Sequence, residues 1–338
     1  MSAQTGLPPY PNGWFVIGFS DEVRPGRLLA RQFMGQEVVV FRTRSGKVCA
    51  ADAYCPHLGA HFGYGGRVEG EWLRCPFHGF CFDTQGSCVK TGYGTKPPPT
   101  ARLKLWPLRE QNGLLLVYHD GEGAQPTWEV AALETEGWTR PICRAFTLRD
   151  HPQETTENSV DIGHFAFVHK YRDVRELCEI QTDGPYLSTA YAVRRAAPLV
   201  GRVWRGLSFA FEFETQIYGL GYSLVRLSVP ALRLRARLWV LPTPRDEERL
   251  TLWLAMSARI PWTGHAGNPL ARLPGKALAW LLARLVLMGL AHDAQQDFPI
   301  WEHKRYVQPP ALAKGDGPIG RYRAWARQFY RQEGQQET

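Results

Sequence analysis

Residues 55–78 read C-P-H-L-G-A-H-F-G-Y-G-G-R-V-E-G-E-W-L-R-C-P-F-H. Cys55 and His57 form one pair, and after seventeen intervening residues Cys75 and His78 form a second. Two thiolates and two imidazoles suit a single tetrahedral zinc. They also suit a two-iron, two-sulfur cluster, with Cys55 and Cys75 on one iron and His57 and His78 on the other. The spacing favours the cluster, because a C-x-H opening is not the C-x2-4-C opening of common zinc modules. Each pair is also followed by a glycine, Gly59 or Gly79. Gly-rich loops can aim backbone N–H groups at cluster sulfurs, and Pro56 and Pro76 stiffen the loop tips.

Around this segment, short apolar runs separated by Gly-rich turns predict strands over 14–18, 37–43, 47–51 and 71–74. A hairpin is expected over 80–86, and a closing hairpin over 103–118 across Asn112-Gly113. Such a run implies an antiparallel barrel or sandwich on which two metal loops converge. Gly121 to Pro126 reads as a boundary, which gives a cluster domain over 1–125 and a second domain over 126–338. In the second domain the chain turns helical between Thr147 and Lys170, with Asp150, Pro152 and Glu154 suited to a helix start. Strands are expected over 187–193, 209–217, 222–229, 232–241 and 250–260, and helices over 276–296 and 319–333. The fold class is therefore α+β: an all-β cluster domain, then a curved antiparallel sheet with helices on one face.

Composition narrows the function. A chain of 338 residues with 44% hydrophobic content can bury two cores. Seven cysteines are too few for a disulfide framework, and the five outside the metal pairs read as reduced core residues, as in the cytoplasm. The first twenty residues carry no secretory signal pattern. The longest greasy run, 277–290, is interrupted by Arg284 and is too short to cross a bilayer; its apolar face could line a substrate entrance or lean on a membrane surface. The net charge of +8 is scattered, and the Arg-rich stretch 226–237 alternates like a solvated strand, which argues against nucleic acid. Positive surface also suits docking of an acidic electron-donor protein.

A second constellation, N-S-V-D-I-G-H-F-A-F-V-H, places Asn158, Asp161, His164 and His169 within twelve residues. Asp161 and His164 share a helix face, whereas His164 and His169 lie roughly 140 degrees apart on an ideal helix and need a local distortion to meet on one ion. Two histidines and one carboxylate make the facial triad of a mononuclear non-haem iron centre with positions open for dioxygen. The carboxylate is sought in A-H-D-A-Q-Q-D-F-P-I-W-E-H-K, where Asp293 and Asp297 stand one turn apart and geometry does not separate them. Asp297 stands just before Pro299, where the helix is expected to give way; His292 and Glu302 are weaker contenders.

In this order the two constellations resemble the oxygenase component of the Rieske non-haem iron oxygenases, over about residues 14–330. C-P-H-L-G-A-H from Cys55, C-P-F-H-G-F from Cys75, W-P-L-R-E-Q-N-G from Trp106, H-P-Q-E-T-T-E-N from His151 and I-W-E-H-K from Ile300 resemble the branch of 3-ketosteroid 9α-hydroxylases and cholesterol 7-desaturases. The resemblance implies His164, His169 and Asp297 as iron ligands and Asp161 as the bridge to a cluster histidine of a neighbouring subunit in a head-to-tail homotrimer. Asn158 joins Asp161 as a candidate catalytic residue. The sequence has Ala60 where the respiratory-type pattern has a disulfide cysteine, and Leu58 where many ring-hydroxylating members have arginine.

The implied activity is a terminal oxygenase: dioxygen and two electrons hydroxylate or desaturate an unactivated C–H position of a hydrophobic polycyclic substrate, a sterol or ketosteroid. The chain has neither a Rossmann fingerprint nor a flavin pattern, so NAD(P)H must act through a separate ferredoxin or flavin reductase. Rival readings are oxidation or O- or N-demethylation of a smaller aromatic, a pure Rieske electron-transfer protein, and a zinc-stabilised binding protein. Phe165, Phe167, Tyr218, Tyr222, Trp239, Trp253 and Trp280 are the candidate pocket walls.

Overall fold

The computed structural model describes residues 6–196, 208–229, 234–259 and 275–330. Among them, the expected strand ends at Leu232 and Ile260 and the helix end at Glu333 are not included.

The N-terminal half is all β. Strands Leu28–Phe33, Gln36–Arg42, Val48–Asp52 and Leu105–Trp106 form one antiparallel sheet. A second, Arg67–Glu69, Trp72–Arg74, Cys81–Phe82 and Cys88–Lys90, carries the Cys75 loop. Phe41, Phe62, Leu73, Phe80 and Phe82 pack with Cys55 and Cys75 in one core, so both metal loops rest on a hydrophobic base.

A third sheet, Gly13–Phe19, Leu114–His119 and Leu108–Gln111, joins the two halves. One of its faces fills the first half's core with Phe15, Val117 and Leu115. The other packs Trp14, Phe19 and Leu116 onto Tyr222, Trp239 and Trp253 of the large C-terminal sheet. Trp14 Nε1 also donates to the Trp128 carbonyl at 2.8 Å, and Thr243 Oγ1 to the Val16 carbonyl at 2.7 Å.

The large sheet has seven antiparallel strands, ordered in space as Ile142–Leu148, Leu250–Arg259, Leu234–Pro244, Tyr222–Val229, Ser208–Tyr218, Tyr186–Ala196 and Arg172–Asp183. Its first strand lies at one edge; the chain then crosses to the far edge and returns as a meander. The crossing holds two short helices, α1 (Pro152–Glu157) and α2 (Ile162–Phe167). Helix α3 (Gly275–His303) covers the face opposite the third N-terminal sheet, setting Ala283, Leu287 and Ala291 against Leu252, Leu254 and Met256. Helix α4 (Ile319–Ala326) closes the far end over Leu187 and Ile217.

Three expectations change. The edge strands Ile142–Leu148 and Arg172–Asp183 are missing from the sequence reading, because both are mostly exposed and lack a clean alternation. The helical passage is two helices broken at Asn158–Asp161, where Asp161 Oδ1 caps α2 through the His164 N–H at 3.1 Å. Helix α3 does not give way before Pro299: it runs through it to His303.

Candidate active site

The two cluster loops repeat one hydrogen-bond plan. Cys55 N–H donates to the Ala60 carbonyl and Cys75 N–H to the Phe80 carbonyl, each over five residues and each at 2.8 Å. The turn between requires a left-handed residue, and Gly59 (φ 73°) and Gly79 (φ 65°) supply it. Cys55 and Cys75 are buried, while the His57 and His78 rings meet edge to face at 4.9 Å. His57 stacks on Phe80 at 4.2 Å, and His78 Nδ1 is buried without a hydrogen bond.

These residues fit the two-iron, two-sulfur group. Burial, with Cys75 alongside, pushes the Cys55 thiol up to about 12, so a metal charge is needed to hold it as thiolate. The orphaned His78 Nδ1 is a free ligand atom. Among the described residues, His164, His169 and Asp297 bring their ligand atoms together around one point.

That trio has ligand atoms all within 4.8 Å of one another. His164 sits on α2, and His169 lies just past its end, where the His169 N–H reaches back five residues to the His164 carbonyl at 3.4 Å. The wide turn brings the second imidazole beside the first, which resolves the five-residue spacing, and the chain then turns at Lys170, whose φ is positive (59°). The two rings stand 5.0 Å apart at 77°. His164 Nδ1 is held by the Asp161 backbone carbonyl at 2.6 Å, which leaves Nε2 free, and His169 Nε2 is 3.5 Å from Asp297 Oδ2. Burial first, then His169, lowers His164 to about 4, so it is a neutral donor. Burial, then Asp293 and Asp161, raises Asp297 to about 7, the state of a carboxylate awaiting a cation. The donor set fits a mononuclear iron.

Asp293 stands apart from this trio. Its Oδ1 takes the Arg195 guanidinium at 2.6 Å and its Oδ2 the Tyr171 hydroxyl at 2.9 Å. His292 is exposed, Glu302 is half-buried, and neither joins the trio. The Asp161 carboxylate caps α2 and lies 3.9 Å from His164 Nδ1, so the Asp161 backbone carbonyl, not its carboxylate, fixes that ring. Asn158 lines the cavity, with its Oδ1 3.4 Å from Trp301 Nε1.

Beside the trio is a cavity walled by Phe211, Phe213, Leu227, Leu238, Val240 and Leu252 of the sheet and by Leu290 and Trp301 of α3. Of the expected aromatic walls only Phe165 lines it. Tyr218, Tyr222, Trp239 and Trp253 point to the opposite sheet face, Phe167 is 80% exposed, and Trp280 is exposed. Sequence reasoning also missed Thr155, Tyr171 and Arg195, which no local pattern marks.

Residues 117–330 match the family model described as the 3-ketosteroid 9alpha-hydroxylase C-terminal domain, and residues 13–106 match the Rieske [2Fe-2S] domain. The chain belongs to the 3-ketosteroid 9alpha-hydroxylase family of Rieske oxygenases. It is 29% identical to a cholesterol 7-desaturase of Bombyx mori, over 96% of this chain and 70% of that protein. It is 30% identical to a probable 3-ketosteroid-9-alpha-monooxygenase oxygenase component of Rhodococcus rhodochrous, over 96% of this chain and 82% of that one. Among solved structures, apo dicamba monooxygenase (17% identity, TM-score 0.66, 94% and 96% covered) and NdmA of Pseudomonas putida CBB5 (17%, 0.68, 94% and 89%) share the fold. This Rieske oxygenase is thus an enzyme with a [2Fe-2S] cluster and a non-haem iron site, supplied with electrons by separate proteins. No described helix is long and apolar enough to cross a membrane.

Proposed function

We propose that this oxygenase hydroxylates or desaturates an unactivated C–H bond of a sterol or 3-ketosteroid, with residues 1–125 as electron-transfer unit and 126–338 as catalytic unit. The observation that carries the reading is the lining of the cavity: aliphatic and phenyl groups make up most of its wall, with His164, His169 and Asp297 at one side. A rigid apolar polycycle matches such walls. The curated relatives bear steroid names.

In this reading Cys55, Cys75, His57 and His78 hold the cluster, and His164, His169 and Asp297 hold the iron. The two groups together supply one-electron transfer and dioxygen activation when bound. The sheet wall orients the substrate and keeps bulk water out. The Asp161 carbonyl fixes the His164 ring, and the Asp161 side chain, 30% exposed, is free to meet a cluster histidine of a neighbouring subunit. The exposed Leu58, Tyr64 and Phe77 around the cluster loops, and Phe167 beside the iron site, support a homotrimer in which these surfaces face each other. Trp280, Leu281, Leu285 and Met288 form an exposed row on α3 that supports contact with the membrane storing the substrate. The free thiols fit a cytoplasmic setting.

The test is a single turnover of the chemically reduced protein, offered cholesterol, 3-ketosteroids and small aromatics with labelled dioxygen. An oxygenated or dehydrogenated steroid is expected. Reaction of a small aromatic alone would leave the metal chemistry standing and remove the steroid assignment.

A further inference from the structure

The reaction consumes protons as well as electrons. Dioxygen, two electrons, two protons and R–H give R–OH and water; desaturation consumes the same two protons and gives two waters. The cavity wall is largely apolar, so the protons must enter through specific polar groups.

Tyr171 and Thr155 line the cavity, and the hydroxyl of each hydrogen-bonds a buried carboxyl. Behind Tyr171 stands Asp293, whose other oxygen is already engaged in an ion pair with Arg195 at 2.6 Å. Behind Thr155 stands Asp150, which accepts the Thr155 hydroxyl at Oδ2 over 2.6 Å and, among the described residues, has no arginine paired with it. Asp150 is 8% exposed and Thr155 3% exposed. The groups acting on Asp150 are Glu154 on α1, the Lys304 ammonium just past α3, the His151 backbone N–H and Thr155 itself. Lys304 is paired with Glu154 and is the partly exposed end of this group, with 29% of its side chain reached by solvent.

We propose that Thr155 and Asp150 form the proton-delivery pair of this oxygenase, Thr155 presenting its hydroxyl to the cavity and Asp150 reprotonating it from behind. When Asp150 is neutral its O–H donates to Thr155 Oγ1, and the threonine proton passes into the cavity. Asp150 then regains a proton from solvent on the Lys304 and Glu154 side. Burial, the largest influence on Asp150, raises it to about 7, where both forms are populated near neutrality. Thr155 is the catalytic member and Asp150 a positioning residue that acts through it. The inference rests on the oxygenase reading above.

The experiment compares Thr155→Val, Thr155→Ser and Asp150→Asn in the protein loaded with cluster and iron, using progesterone as the 3-ketosteroid probe. Valine and asparagine keep the shapes they replace. With dioxygen and chemical reductant, Thr155→Val and Asp150→Asn are expected to lose product yield by about ten-fold or more, and Thr155→Ser to stay within about two-fold. Hydrogen peroxide brings both electrons and both protons, so with it all three should match the parent within about two-fold. An equal loss with peroxide, or no loss with dioxygen, overturns the pair. If the parent oxidises no progesterone with either oxidant, the steroid reading fails instead, and infrared spectra without substrate decide the pair. A neutral carboxyl band should appear a unit below about 7, vanish a unit above, be lost in Asp150→Asn, and shift in Thr155→Val alone. Absence of that band overturns the proposal.

Discussion

Asp293 and Asp297 lie one turn apart on α3, equally buried, yet their surroundings divide them. Asp293 is ion-paired with Arg195 and hydrogen-bonded by the Tyr171 hydroxyl, whereas Asp297 faces the His169 imidazole. Asp297→Asn should therefore lose mononuclear iron and spare the cluster's paramagnetic signal. Asp293→Asn should keep iron and cost about 3–5 kcal/mol of stability by stranding Arg195. Metal analysis and denaturant titration separate the two; iron lost from Asp293→Asn alone would reassign the ligand. The sequence could not make this choice, because Arg195 and Tyr171 stand 98 and 122 residues from Asp293. The cluster ligands and both histidines were visible because each pair is local. Asp150 offers a test by pH. Its carboxyl is raised from 3.8 to about 7, so between these values the native chain keeps a proton that the unfolded chain has lost. Its contribution is full below about 4 and fades as pH rises through about 7. Melting of the iron-loaded parent should fall across this window relative to Asp150→Asn, and equal slopes would contradict the shift.

At the level of elements, alternation along the strands decides which side chains meet the substrate. Val240 and Trp239 are neighbours in one strand, and Val240 faces the cavity while Trp239 packs on the N-terminal sheet. Size suggested the aromatics as walls, and the strands were found in nearly the right places. Which face they turned to the iron depended on the third N-terminal sheet, whose partner surface no local pattern encodes. Val240→Trp should fill the cavity and weaken progesterone binding at least ten-fold at nearly unchanged stability. Trp239→Ala should cost about 3–5 kcal/mol and leave binding nearly unchanged. A binding isotherm and a melting curve on each variant check this; the reverse pattern would exchange the two faces.

Across the whole molecule, the two metal-binding sites belong to different cores, one among the N-terminal sheets and one between the seven-stranded sheet and α3. Both leave apolar side chains in water: Leu58 is 66% and Phe77 64% exposed at the cluster loops, and Phe167 is 80% exposed beside the iron histidines. Solvated aromatics at two functional sites are costly unless partner surfaces cover them, and a head-to-tail ring lets the same chain supply both partners. On this arrangement each iron draws electrons from a neighbour's cluster. Co-expression of a cluster-deficient Cys75→Ala chain with an iron-deficient Asp297→Asn chain tests it, each bearing its own affinity tag so that mixed assemblies are isolated. Either chain alone should be inactive. If electrons cross between subunits, the intact iron of one chain faces the intact cluster of the other, and mixed assemblies recover a sizeable fraction of parental turnover. If each cluster serves its own iron, no subunit holds a working pair and mixing recovers nothing. Asp161→Asn, which keeps the cap on α2, placed in the Cys75→Ala chain should abolish the recovery, because that carboxylate then lies at the crossing.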